Sequence, residues 1–304
     1  MSLAEVEAAT ETAQVGYEGG SLRRDAWRRL RRDPVALFGF GLIAVFILVA
    51  IFAPLIAPYG PSDSPGAGVV TPTTIPGPSA EHWFGLDELG RDEYSRVIYG
   101  ARQSLLVGVV ATALGMIGGL TLGVIAGAFP GKVDTIIMRI VDIMLSIPGL
   151  LMAIAIAAML GPSLLSVMIA IAIINVPIFA RLLRGQMLSQ RGSDYVLAAT
   201  ALGVRRRAIV LGHVLPNSMS PVIVQATLTL ATAIIEAAGL SFLGLGSADP
   251  GVPEWGRMLA QTQRYLAGAP HLAFFPGVAI VLAALGFTLV GERLREALDP
   301  KYRR

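Results

Sequence analysis

The residues able to do chemistry in this chain are few and scattered. Residues 127–133, GAFPGKV, come nearest to a nucleotide site. A phosphate-binding loop, G-x-x-x-x-G-K-[ST], wraps backbone N–H groups around phosphates and offers a hydroxyl to magnesium. Here the residue five before Gly131 is Ala126, and Lys132 is followed by Val133. The first glycine and the hydroxyl are both missing, so the stretch reads as a turn. Histidine, the commonest proton shuttle and metal ligand, occurs at His82, His213 and His271, in three separate connections. Neither H-E-x-x-H nor G-x-S-x-G is present, so neither a catalytic constellation nor a metal site is expected. The absence of cysteine removes disulfides, thiolate ligands and Cys nucleophiles. Arg139 and Asp142 lie three apart within an apolar run and are expected to form a local ion pair. This chain is therefore expected to carry no catalytic residue, cofactor or metal and to bind no nucleic acid.

The elements that hold these residues are dictated by composition. Of 304 residues, 54% are hydrophobic and only 15% charged, whereas soluble domains carry about a quarter charged residues. Six windows reach the roughly 20 apolar residues that a bilayer core requires. They are Val35–Ala57, Ser104–Ala128, Thr135–Leu160, Ser163–Leu183, Asn217–Ala238 and Leu272–Val290. An all-α integral membrane protein with six spans follows. With the amino terminus inside, the inner segments hold 18 of the 24 Lys and Arg and the outer ones 5. Both termini are thus expected in the cytoplasm. Residues 1–20 are acidic and read as a loosely ordered tail; SLRRDAWRRLRRDP then suits a basic amphipathic helix on membrane lipid.

Within the spans, Gly115, Gly119, Gly123 and Gly127 recur every four residues and expose one face of a helix to a close neighbour. Pro148–Gly149 is expected to kink the third span. Gln225, Thr227, Thr229, Thr232 and Glu236 scatter polarity along the fifth, which suits either a water-accessible interior or interhelical hydrogen bonds. Two long outer segments are turn-rich and suit either docking of a soluble partner or simple capping of the bundle, with Trp83 and Trp255 as interface anchors in the second case. A stand-alone secondary transporter or channel would call for inverted repeats or a dense line of membrane carboxylates, and neither is visible.

The connection between the fourth and fifth spans is the informative one: SDYVLAATALGVRRRAIVLGHVLPN, residues 193–217. Ser193 is placed to cap a first helix and Asp194 to complement its positive end. Gly203 stops that helix, Arg205–Arg207 open a second, and Pro216 leads into the next span. The small residues Ala198–Ala201 would fit a groove on a partner.

Ala198 to Gly203 (Ala-Ala-x-x-x-Gly) followed by Leu215–Pro216 resembles the EAA loop of type-1 ABC importer permeases. The stretches 28–59, 82–108 (HWFGLDELGRDEYSRVIYGARQSLLVG), 240–259 and 294–300 (LREALDP) resemble the C-type permease of dipeptide and oligopeptide importers. The position of the motif's Glu is occupied by Leu197. The resemblance implies the type-1 permease fold, an ATPase-coupling loop containing Asp194, Tyr195, Ala198, Ala199, Gly203, His213, Leu215 and Pro216, and import of di- or oligopeptides. The same family also carries glutathione, nickel chelates and other small solutes. It implies a second, homologous permease, two ABC ATPases that hold the ATP and Mg, and an extracytoplasmic peptide-binding protein. It further implies a division into a cytoplasmic tail (1–34), a first transmembrane helix (35–57), an extracytoplasmic loop (58–101), a five-helix transmembrane domain (102–291) and a cytoplasmic tail (292–304) in a bacterial cytoplasmic membrane.

Overall fold

The computed structural model describes residues 22–71 and 74–298, so the readings made for residues 1–20 and for 299–304 fall outside the described residues. Among the described residues the regular structure is helical, apart from two isolated bridge pairs, Thr71–Thr74 and Leu86–Asp92. In chain order the helices are α1 Leu22–Leu30, α2 Pro34–Ile56, α3 Glu93–Ala128, α4 Lys132–Ser146, α5 Gly149–Leu160, α6 Leu164–Arg191, α7 Asp194–Ala201 and α8 Arg206–Ile209. A π turn, Val210–Val214, then leads into α9 Leu215–Phe242, followed by α10 Trp255–Thr262 and α11 His271–Leu298.

Helices α2, α3, α6, α11 and the continuous run from Arg206 to Phe242 are each long and apolar enough to cross a membrane. The third expected span is different. It is broken rather than kinked: α4 and α5 meet at 92°. Ile147, which precedes proline, is extended (φ −92°, ψ 130°), and Pro148 has no N–H with which to continue the ladder. Helix α4 buries only Val141.

The bundle is organised around α3 and α6, its most extensive pairing. The four glycines of α3 make it possible. A Cβ at Gly115 would lie 2.9 Å from the Ala172 carbonyl, at Gly119 2.6 Å from that of Val176, and at Gly123 2.9 Å from that of Ala180. At Gly127 it would meet the Met187 sulfur at 2.7 Å. Backbone therefore meets backbone at Gly115, Gly119 and Gly123, over about two turns, an approach that a side chain would block.

At one end of the bundle, residues 58–92 fold over the start of α3 around a buried charge cluster. Asp87 accepts from Arg91 Nε at 2.5 Å and lies 3.4 Å from Arg96 Nε. Arg91 and Arg96 also donate to the carbonyls of Pro250 and Pro61, each at 2.8 Å, so the two long connections are tied together. Trp255 is not an interface anchor. It is buried edge-on to Phe46, and its Nε1 donates to the Val97 carbonyl at 2.9 Å. Trp83 is exposed.

Candidate functional site

At the opposite end, α7, α8 and the π turn project from the bundle. Helix α7 does not start as expected: Ser193 makes no cap, and its hydroxyl donates back to the Gln190 carbonyl at 2.6 Å. Its stop is at the expected place. Gly203 has φ +75°, its N–H donates to the Thr200 carbonyl (3.0 Å), and that of Val204 to Ala199 (3.1 Å). This paired closure of the last turn needs a left-handed residue, which glycine supplies without a Cβ penalty. The π turn sits just before Pro216, whose ring would crowd the carbonyl four residues back, at Gly212, in a regular helix. Asn217 Nδ2 and Ser218 Oγ donate to the His213 and Val214 carbonyls, each at 2.8 Å.

The loop is fastened to the bundle. Val196, Ala199, Ile209, Val210 and Val214 pack with Phe179, Leu183 and Met187 of α6 and Val222 of α9. Arg191 and Arg206 both donate to the carbonyl of Ala128, at 2.9 and 2.6 Å. Two guanidinium groups thus complement the negative end of α3. Tyr195 donates to Gln190 Oε1 at 2.6 Å, and its ring lies 6.5 Å from that of His213.

This packing corrects one expectation. Ala199 is only 7% exposed and faces the helix bundle itself, so it is not placed to meet a partner. The outward side is formed by Leu197, Ala198, Leu202 (83% exposed), Val204 and Leu211. Leu197, at the position of the motif's Glu, is thus exposed. Leu215 is half-buried and Asp194 and Pro216 are exposed.

The expected Arg139–Asp142 pair does not form. Asp142 is bound by Arg181 of α6, and Arg139 is exposed. Asp134, one turn into α4, takes a two-pronged contact from Arg184: Nε to Oδ1 at 3.0 Å and NH2 to Oδ2 at 2.6 Å. Asp134 and Asp142 are eight apart and therefore share a face of α4, so two ion pairs hold this sparsely buried helix to α6. Sequence reasoning missed Asp134, Arg181, Arg184, Arg191 and Arg206 because their partners are 39 to 78 residues away. Among the described residues no group of three or more His, Asp or Glu has the arrangement to hold a metal ion.

The loop is thus fastened to α3, α6 and α9, and it leaves exposed apolar side chains at the end of the helical bundle. Comparison with known proteins identifies the arrangement. Residues 119–304 match the family described as binding-protein-dependent transport system inner membrane component. The chain belongs to that family. As an ABC importer permease it also carries, at residues 21–67, a match to the N-terminal transmembrane domain of oligopeptide transport permease C. It is 49% identical to the dipeptide transport system permease protein DppC of Alkalihalophilus pseudofirmus, over 94% of this chain and 92% of that protein. It is 44% identical to the probable D,D-dipeptide transport system permease protein DdpC of Escherichia coli, over 98% and 96%. It is 45% identical to the glutathione transport system permease protein GsiD of Salmonella typhimurium, over 91% and 90%. Among solved structures, the permease shares its fold with an inward-facing MetNI methionine ABC transporter (TM-score 0.55, 21% identity, 67% of this chain and 96% of that one).

Proposed function

We propose that this permease imports di- and oligopeptides across a bacterial cytoplasmic membrane as one half of a heterodimeric pore. Its partners are a second, homologous permease, two ABC ATPases that carry the ATP and Mg, and an extracytoplasmic peptide-binding protein. The chain itself contributes no catalytic residue. Both termini and the 193–216 loop lie in the cytoplasm, in keeping with the Lys and Arg count, and the division into tail, first helix, outer loop, five-helix domain and tail follows that topology. Structurally, Asp33 at the start of α2 lies 3.8 Å from Arg293 near the end of α11, and Arg295 and Leu298 share a cavity with Leu182 and Gln186 of α6. These ends therefore sit at the end of the bundle that bears the loop.

The observation that carries the reading is the exposure of Leu197, Leu202, Val204 and Leu211 on a loop packed against α6 and α9 and hydrogen-bonded to the end of α3. When the ATPases close, a groove seated on those side chains drags the loop, and the loop carries the helices with it. Leu202, rather than Ala199, is the contact at its centre. Relatives named for dipeptide transport support a peptide cargo. The glutathione relatives favour a second reading, in which that tripeptide is the cargo.

The test is reconstitution of the chain with its permease, ATPase and binding-protein partners in vesicles. ATP-dependent accumulation of labelled dipeptide is expected. Accumulation of glutathione but no dipeptide would replace the first cargo by the second. Uptake by this chain alone, driven by an ion gradient, would overturn the importer reading. Orientation is checked separately with a single cysteine at Pro76, expected to react with an impermeant reagent in intact cells.

A further inference from the structure

Helix α9 carries several of its polar side chains close to one line, with Thr227 on the opposite side. At about 100° per residue, Gln225, Thr232, Glu236 and Leu243, the residue just past its last turn, fall within roughly 20° of one line, with Thr229 about 40° to the side. Gln225 lines a 410 Å³ cavity at the loop end, together with Gln186, Ser220 and Arg295. Leu243 lines a 470 Å³ hollow at the other end, beside Glu88, Gln261 and Arg264. The line on α9 joins the two. Between them Thr232 is exposed and Glu236 half-buried, and Glu236 Oε2 is buried without a hydrogen-bond partner within the chain.

Much of the rest of α9 is packed against the bundle, although Ile223 and Ile235 are exposed. Ala231, Ile234 and Ala238 pack in one apolar cluster with α3 and α11, and Ala233, Ala237 and Leu240 in another with α5 and α6. The polar groups along the line are partly satisfied by one another: Gln225 Nε2 donates to Thr229 Oγ1 at 3.3 Å, and Thr232 Oγ1 to the Thr229 carbonyl at 3.1 Å. Glu236 is left as the one carboxylate of the helix, and the sequence places no Lys or Arg between Arg207 and Arg257. A carboxylate facing lipid is strongly disfavoured; facing water, it is an attractor of cations.

We propose that this line is a wall of the translocation path and that Glu236 is its cation-selecting group. It receives the free ammonium of a short peptide as the peptide leaves the hollow beside Leu243. The proposal rests on the peptide-importer reading, and its test separates the two. The chain has no cysteine, so Thr232→Cys provides a single reactive thiol on it, about 6 Å along the helix from Glu236. In the assembled transporter the thiol is treated with cationic and anionic thiosulfonate reagents of similar size, and each rate is divided by that of a free thiol. The cationic reagent is expected to be favoured about tenfold, the Coulomb difference between opposite and like charges at that distance in a water-like medium. That preference should vanish in Glu236→Gln and persist in Glu236→Asp. Failure of both charged reagents, with labelling only by an apolar maleimide, would place the line against lipid or the second permease and overturn the proposal. Equal rates for both reagents in the parent would overturn the role of Glu236. Labelling with the predicted preference, but without protection or uptake of any peptide, would keep the wall and reject the peptide cargo.

Discussion

Replacing Gly119 by alanine, the smallest change possible, tests whether the α3–α6 seam rests on backbone contact. The new Cβ would collide with Phe179 Cβ and sit 2.6 Å from the Val176 carbonyl and 3.0 Å from the Ala180 amide. Ordinary contact begins near 3.4 Å. Since these neighbours are backbone atoms or a Cβ fixed by the backbone, none can swing aside, and the helices must separate by most of an ångström. Overpacking of this kind costs about 3 kcal/mol at the upper end of its usual range. The gain in helix propensity from Gly to Ala offsets about 1 kcal/mol of that, leaving about 2 kcal/mol of destabilisation. Gly185 on α6 has nothing within 4 Å of its would-be Cβ, so Gly185→Ala should be neutral or stabilising by up to about 1 kcal/mol. Detergent-induced unfolding of the purified chain, followed by circular dichroism, measures both. A Gly119→Ala midpoint equal to wild type, or a Gly185→Ala loss as large as that of Gly119→Ala, would refute the reasoning.

Other outcomes follow from the same geometry. Ala199→Trp should destabilise the permease by overpacking, about 1–3 kcal/mol, whereas Leu202→Asp should leave its unfolding unchanged and reduce co-purification of the ATPases. Asp87→Ala strands Arg91 and Arg96, both buried, and should lower stability by about 3–5 kcal/mol in the same unfolding assay. Glu254 caps α10 through the amides of Gly256 and Arg257, and burial raises its carboxyl above the ordinary value. Its contribution to stability is therefore full below the unfolded carboxylate range and is lost as pH rises through the folded value. The unfolding temperature of wild type should fall over that window, and the fall should be smaller in Glu254→Gln.

Local signals were the ones legible in the sequence. The glycine repeat at 115–127, the stop at Gly203 and the apolar spans all act within a few turns of chain, so period and residue type reveal them. Contacts that join distant segments left no such trace. Arg181 captures Asp142, which Arg139 sits nearer in sequence, because α6 presents its guanidinium across the interface. Ala199 and Ala198 are indistinguishable as residues, and only the side of α7 that meets α6 and α9 decides which is buried. Pro148 signalled a disruption, but the 92° turn reflects a helix that keeps so few buried residues that nothing straightens it. Ser193 had two kinds of partner within reach, the first-turn amides from which its Oγ could accept and the Gln190 carbonyl to which its hydroxyl donates, a choice that sequence alone does not order.

The central claim is that the 193–216 loop docks on an ATPase through its exposed side. Its most direct measurement is a crosslink from a single cysteine at Leu202 in the assembled, transport-competent complex, using a short thiol-to-amine reagent. The account predicts an adduct between this chain and an ATPase subunit from Leu202→Cys, and none from Ala199→Cys. An intact, active complex in which Leu202→Cys links only to the second permease, or to nothing, while Ala199→Cys reaches the ATPase would contradict it.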